Sequence, residues 1–353
     1  MNKSGKWLAA VGASSLAMLA ANPAFAAGTA AGTTVTNTVT VNYQVNTIAQ
    51  TAATASNSFV VDRKVNVTVA EVGTTTTQVS PGQTAAVTAF TVTNLSNATL
   101  DFALTAAQQS GGTAAHSGTD TFDVTNVKIY VDTNANGTYD AGTDTLVTYL
   151  DELAADAAKT VFVIADIPLS LTTGAVAGVT LTATGKEGGT VGSVGAALTE
   201  TSGADTSGTV DTVFADAAGA TDSARDAAYS AKDDYTVLAA ALTITKTSKV
   251  VSDPVNGTTN PKAIPGATLE YCVIVANAAG GAGASSVAIS DSLPSVITYD
   301  STFGIKLDGT VTSGVCNADG TSGGSYSAGT ITGTLTSLPA GSTKTLRYQA
   351  TIN

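Results

Sequence analysis

A hydrophobic period of two, recurring from about residue 35 to residue 350, constrains this chain more than any other feature. Val39, Val41, Tyr43 and Val45 alternate with Thr40, Asn42 and Gln44, and Val65, Val67 and Val69 alternate with Asn66 and Thr68. Val127, Ile129 and Val131 repeat the pattern, as do Leu242 and Ile244, then Tyr271, Val273 and Val275, and finally Leu346, Tyr348 and Ala350. Successive side chains of a strand point to opposite faces, so each run predicts a strand with one buried face. Turn signals separate the runs: Pro81-Gly82, Asn136-Gly137, Asn256-Gly257, Pro265-Gly266 and Asp308-Gly309. Helical periodicity is nearly absent, and many short strands with glycine-rich turns predict an all-β chain of antiparallel sandwiches.

Composition then narrows the chemistry. Roughly one residue in six is threonine, a β-forming residue, while charged residues are 12% and aromatics 5% of the 353 residues. One histidine, two cysteines and one tryptophan leave most catalytic constellations without raw material. Lys3 and Lys6, an apolar stretch from Trp7 to Ala20, and Ala24 and Ala26 in an A-x-A arrangement read as a secretory signal peptide over residues 1–26. The apolar stretch falls short of the ~20 residues that span a bilayer. Cleavage after Ala26 removes the only tryptophan and leaves 13 basic against 27 acidic residues. That balance repels nucleic acid and anionic lipid. No later segment reaches transmembrane length, so the mature chain is expected to be exported, at the cell surface or extracellular.

The length suits two modules, 27–240 and 241–353. The Asp-, Ala- and Ser-rich stretch at 200–240 reads as a flexible linker. Within it, Asp222–Tyr229 has the composition of one helical turn, and Tyr235–Ala239 that of a strand closing the first module. The second block, 113 residues, is close to the ~100 of an immunoglobulin-like sandwich. Its motifs are Leu242-Thr-Ile-Thr-Lys246, Asn256-Gly257, Ile264-Pro-Gly266, the strand ending at Asn277, and Ile289-Ser-Asp291-Ser-Leu-Pro294. Together they resemble the conserved-repeat domain called Domain of Unknown Function 11, over about a third of the chain and in one clear copy. The resemblance implies an Ig-like module of secreted or surface-exposed bacterial proteins.

Two side-chain pairings are expected in this block. Period two places Tyr271, Val273 and Val275 on one face and Cys272 and Ile274 on the other. Cys316 follows 44 residues later, and in an exported protein two cysteines form a disulfide more often than they stay as two free thiols. Lys246, with Glu270 as proton shuttle and Asn277 or Asn353 as acceptor, has the residue types of the Lys–Asn isopeptide cross-link of some pilin-like sandwiches. The alternative is an exposed lysine and ordinary strand-ending asparagines.

One motif carries metal chemistry. Asp132-Thr-Asn134-Ala-Asn136-Gly137-Thr138-Tyr-Asp140 is D-x-N-x-N-G-x-x-D, the first nine positions of an EF-hand calcium loop. Ca²⁺ takes six to eight oxygens, and side chains at alternate positions of a tight loop converge on one point. Asp132, Asn134, Asn136, the Thr138 carbonyl and Asp140 are the expected ligands. Position twelve is Thr143, and the acid arrives one residue later at Asp144. Strands on both sides make the loop similar to those in B-type repeats of serine-aspartate staphylococcal adhesins. The alternative is a polar Asn-Gly hairpin turn. The acids Asp205, Asp211, Asp216, Asp222 and Asp226 are too irregularly spaced to define a second ion site and read as a solvated linker.

His116, alone in a Gly/Ala/Ser loop, reads as a surface side chain; without a second histidine the common zinc sites are excluded. No phosphate loop is present between a strand and a helix, and nothing selects a pair of carboxylates. The expectation is a non-catalytic structural or adhesive protein with calcium as cofactor and a surface or matrix component, or another copy, as partner. A subunit of a self-assembling layer or filament is the second reading, and a secreted hydrolase the third.

Overall fold

The computed structural model describes residues 28–353; the expected signal peptide lies outside the described residues. Among the described residues every regular element is a β-strand. The all-β expectation holds.

Two five-stranded sheets face each other in the first half. One runs Thr145–Leu146, Thr125–Val131, Ala158–Asp166, Ala86–Asn94, Val67–Glu71; the other runs Tyr149–Leu153, Leu100–Gln108, Val176–Lys186, Ala228–Val237, Thr77–Val79. Alternation drives the packing: along Ala86–Asn94 every second residue is buried, bringing Phe90 and Val92 into the core against Phe102, Leu181 and Val163. The middle strands depart from strict alternation. Val161 to Ala165 are buried on both faces; over Phe162 the outer cover is Tyr139, edge-on with ring centroids 6.1 Å apart.

The 200–240 segment is not a linker. Thr212–Phe214 pairs in parallel with Arg63–Val65, and Ala228–Val237 is a full strand between Val176–Lys186 and Thr77–Val79. Tyr235 and Val237 are completely buried, so burial of alternate apolar residues outweighs the acidic composition of the stretch. Asp222–Tyr229 forms no helix: the buried Asp216 carboxylate accepts the Asp226 and Ala227 amides and holds the chain in a turn.

In the second half, Leu242–Ser252, Thr268–Asn277, Thr343–Ile352, Ile305–Gly309 and Thr321–Ser322 form one sheet. Ala284–Ser292, Thr330–Leu338 and Ser325–Ser327 form the opposing one. Val273, Val275, Ile331, Leu335, Leu346 and Tyr348 meet between them. This core shares no residue with the cores of the first half.

Two of the expected half-buried strands are strands without a buried face. Thr34–Val41 pairs with Ala53–Val60 as an isolated ribbon, on which Val39, Val41 and Phe59 are each more than half exposed. Leu242 and Ile244, 40% and 70% exposed, lie on an edge strand whose inner side no opposing strand covers. In both places the alternation is real and no covering layer is present among the described residues.

Candidate functional site

The D-x-N-x-N-G loop follows directly from the Thr125–Val131 strand and returns at Thr145–Leu146, which pairs back onto Tyr130 and Val131. Gly137, at φ 78°, supplies the left-handed turn that aims the preceding side chains inward. The Asp132 carboxylate accepts the amides of Asn136 and Gly137 at 3.2 and 2.8 Å. Asp144, one position past the usual twelfth, turns into the loop and accepts the amides of Thr133 and Asp140 at 3.1 and 2.7 Å. Asp132 and Asp144 are both buried. Asn134 and Asn136 donate to Asp140 at 3.0 and 2.6 Å, and these two bonds hold the Asp140 carboxyl below its ordinary pKa. The donors between Asp132 and Asp144 are all hard oxygen, three carboxylates and two side-chain amides, the class of ligand that Ca²⁺ takes.

A second cluster was invisible in the sequence. His116 is not a free surface side chain: its Nε2 lies 2.8 Å from Glu71 Oε1 and 3.6 Å from Asp233 Oδ1, and its side chain is 15% exposed. Its backbone amide donates to Asp234 Oδ2 at 2.7 Å. The three ligand atoms of Glu71, His116 and Asp233 lie within 4.8 Å of one another. No local spacing signals this, since residues 71, 116 and 233 meet only through the sheet order. Burial, with the negative charges of Glu71 and Asp234, pushes Asp233 up to about 7, against the pull of the Asp234 amide and His116.

An acid whose pKa is raised on folding stabilises the fold below its unfolded value, and that contribution disappears as pH rises through the folded value. Asp233 therefore favours the fold fully below about pH 4 and ceases to do so above about pH 7. Asp233→Asn is expected to match the parent at pH 4 and to exceed it at pH 8 by about 2 kcal/mol after solvent screening. Thermal melts of both proteins across that range check it; equal gains at both pH values would reject the assignment.

In the second half, Cys272 and Cys316 are joined, with Cα atoms 5.8 Å apart. The isopeptide constellation is not assembled. Lys246 sits opposite Val273 on the inner face and pairs with Asp291 at 2.6 Å. Glu270 points to the outer face, where it meets Lys249 at 3.0 Å and Arg347 at 3.3 Å. Asn277 donates to the carbonyls of Ala282 and Leu338, and Asn353 bonds Thr298 and Ser295 at the far end of the sheet. The two-residue side-chain period separates Lys246 from Glu270.

The acidic stretch is largely structural as well. Asp211 and Asp205 approach Asp62 near the base of the exposed ribbon, and Asp222 accepts from Ser230 and the Gly219 amide.

No family model and no curated protein matches this chain, so its likeness to Domain of Unknown Function 11 rests on the motifs quoted above. Among solved structures, the C-terminal domain of the AgI/II polypeptide BspA from Streptococcus agalactiae aligns over 81% of this chain and 91% of its own. The identity is 10% and the TM-score 0.33. A second BspA structure gives 9% and 0.31 over the same shares. A protein from Corynebacterium diphtheriae, titled as membrane anchored, covers 91% of this chain and 89% of its own at 12% identity and a TM-score of 0.19. Scores this low carry no argument about this chain, and its all-β class rests on its own strands.

Proposed function

We propose that the chain is an exported, non-catalytic structural or adhesive protein of the bacterial surface, built of two β-sandwich modules, 27–240 and 241–353, the first steadied by calcium. One observation carries this reading: outside the His116 cluster and the Glu270 ion pairs, the buried acids are loop clasps. Asp101 accepts the amides of Glu152 and Gly195, Asp132 those of Asn136 and Gly137, and Asp253 those of Val255, Asn256 and Lys262. Asp144 and Asp216 do the same in their own loops. Carboxylates committed to backbone amides hold loops rigid and are poorly placed to act as general acids or bases. Threonine-rich outer faces suit contact with a matrix or with other copies.

Export is tested by the N-terminus of the protein recovered from intact producing cells. The expected product begins at Ala27 and is accessible to added protease; a protein retaining Met1 inside the cell overturns the reading.

Asp132, Asn134, Asn136, the Thr138 carbonyl, Asp140 and Asp144 are the residues that would hold Ca²⁺, and the ion would cross-link the loop. Two amides in place of carboxylates suit the ~10⁻⁴ to 10⁻³ M affinities of extracellular modules. At [Ca²⁺] ten times Kd, stabilisation of about 1.4 kcal/mol follows. Millimolar Ca²⁺ is expected to raise the Tm of the first module, and Asp132→Ala to abolish the increment. A melt indifferent to calcium removes the ion from this account.

A further inference from the structure

The ribbon at residues 34–60 and the uncovered seam of the second module are complementary. The ribbon contains no Asp, Glu, Lys, Arg or His. Its ladder pairs Val35 with Phe59, Val39 with Ala55 and Val41 with Ala53. Those six therefore share one face, interrupted by the Asn37–Asn57 pair, while Thr34, Thr36, Thr38 and Thr40 share the other with Ser56 and Ser58. Beyond Val41 the chain passes through Asn42 and Tyr43 to a two-residue strand, Gln44–Val45, that pairs with Ile48–Ala49 across a tight turn at Asn46 and Thr47, both at positive φ. A lone two-stranded hairpin is marginal in water, yet Val39, Val41, Tyr43 and Val45 are all at least half exposed.

The seam is the converse. Ile244 lies opposite Val275 and Lys246 opposite Val273, so Leu242 and Ile244 face inward with Val273 and Val275. The opposing three-stranded sheet ends at Ala284–Ser292, which pairs only with Thr330–Leu338 and stops short of Leu242 and Ile244. Between them runs an apolar groove of about 370 Å³, walled by Leu242, Ile244, Val275, Val287 and Ile289. The Lys246–Asp291 ion pair lies along it, and Tyr348 donates to Asp291 at 2.8 Å. One more strand on the free edge of Ala284–Ser292 would cover Leu242 and Ile244 and complete the sandwich.

The two parts lie toward opposite ends of the first module. Val65, just beyond the ribbon's root, shares a core cluster with Phe214 and Ala227, at the start of the Ala228–Val237 strand. The second module follows the end of that ten-residue strand, about 33 Å away. The ribbon is about 40 Å long and about 10 Å wide. The face that docks is about 400 Å², smaller than one partner's share of a standard interface, so the contact rests on edge hydrogen bonds as well as on apolar burial. Because the ribbon is uncharged and the seam's one ion pair is internally balanced, docking brings no like charges together despite a chain net charge of −12.

We propose that the Thr34–Val41 strand of one copy adds by its free edge to that of Ala284–Ser292 in a second copy, seating Val39 and Val41 against Leu242 and Ile244. This is strand addition. With donor and acceptor at opposite ends, the contact is head-to-tail and builds an open filament. The inference rests on the structural reading of the chain but not on its export, and purified protein tests it separately from location.

The chain from Ala27 to Asn353, examined by analytical ultracentrifugation and electron microscopy over a range of concentrations, is expected to form linear oligomers. Val41→Lys, on the donor, and Ile244→Lys, on the acceptor, are each expected to weaken self-association about tenfold or more with Tm unchanged, as befits exposed positions. Mixed, the two variants each keep one competent end and are expected to stop at 1:1 dimers. A monomer at every concentration, or oligomers indifferent to both substitutions, overturns the proposal. Loss with Val41→Lys alone shows that the ribbon docks elsewhere and overturns the seam as its site, as does a monomer whose ribbon binds lipid vesicles.

Discussion

Replacing Cys272 and Cys316 together by serine is expected to destabilise the second module by about 4 kcal/mol, the closure entropy of the 44-residue loop they join. For a module of this size that is a fall in Tm of about 15 °C or more. The bridge does local work too. Cys272 is on the outer face of its sheet and nevertheless buried, because Cys316 pins the Val311–Cys316 hairpin over it. Beside it, burial alone would raise the Glu270 pKa, but bonds from Gln349 and Lys249 and the charge of Arg347 overcome burial and hold the carboxyl below its ordinary value. Losing the cover admits water to that cluster. Calorimetry with and without reductant checks both parts: reductant should reproduce the double substitution, and the first module's transition should stay in place. Two reactive thiols per denatured, unreduced chain would refute the bridge.

The second large effect concerns two asparagines in equivalent places. Asn94 ends its strand fully buried; its Nδ2 donates to the carbonyls of Ala98 and Leu153 at 2.9 and 2.8 Å, and its Oδ1 accepts the Ser96 amide at 2.9 Å. Asn277 repeats the arrangement, donating to Ala282 and Leu338 at 2.9 and 3.1 Å and accepting the Ala241 amide at 3.1 Å. Alanine at either position strands two carbonyls and one amide, at about 1 kcal/mol or more each, so about 3 kcal/mol per site. Aspartate keeps the acceptor but sets a charge against two carbonyls and is expected to cost at least as much. Each substitution should move only its own module's transition, and Asn277→Ala should speed hydrogen exchange at the Ala241 amide. A loss below about 1 kcal/mol would show the latch to be dispensable.

This pair also shows how legibility varied. Pro81-Gly82 precedes Asn94 much as Pro265-Gly266 precedes Asn277, a repetition present in the chain but too short to read as a second copy without the matched hydrogen bonds. Lys246 and Glu270 were separable in advance: the alternation that put Cys272 opposite Val273 also puts Glu270 opposite Lys246's side. The oxygen-rich loop between Asp132 and Asp144 was legible because its carboxylates and amides lie within thirteen consecutive residues. The His116 cluster was not, because its members come from three distant strands and loops.

Sequence alone determined what is local: strand periodicity, turn chemistry, the all-β class and the oxygen-rich loop, since each depends on neighbours a few residues apart. Tertiary structure decided which faces are covered. It drew Thr212–Phe214 and Ala228–Val237 of the acidic 200–240 stretch into sheets, set His116 between two carboxylates, and left the Val39–Val45 and Leu242–Ile244 faces open. An alternating strand states that one side seeks cover, but whether another layer arrives depends on contacts between residues hundreds of positions apart.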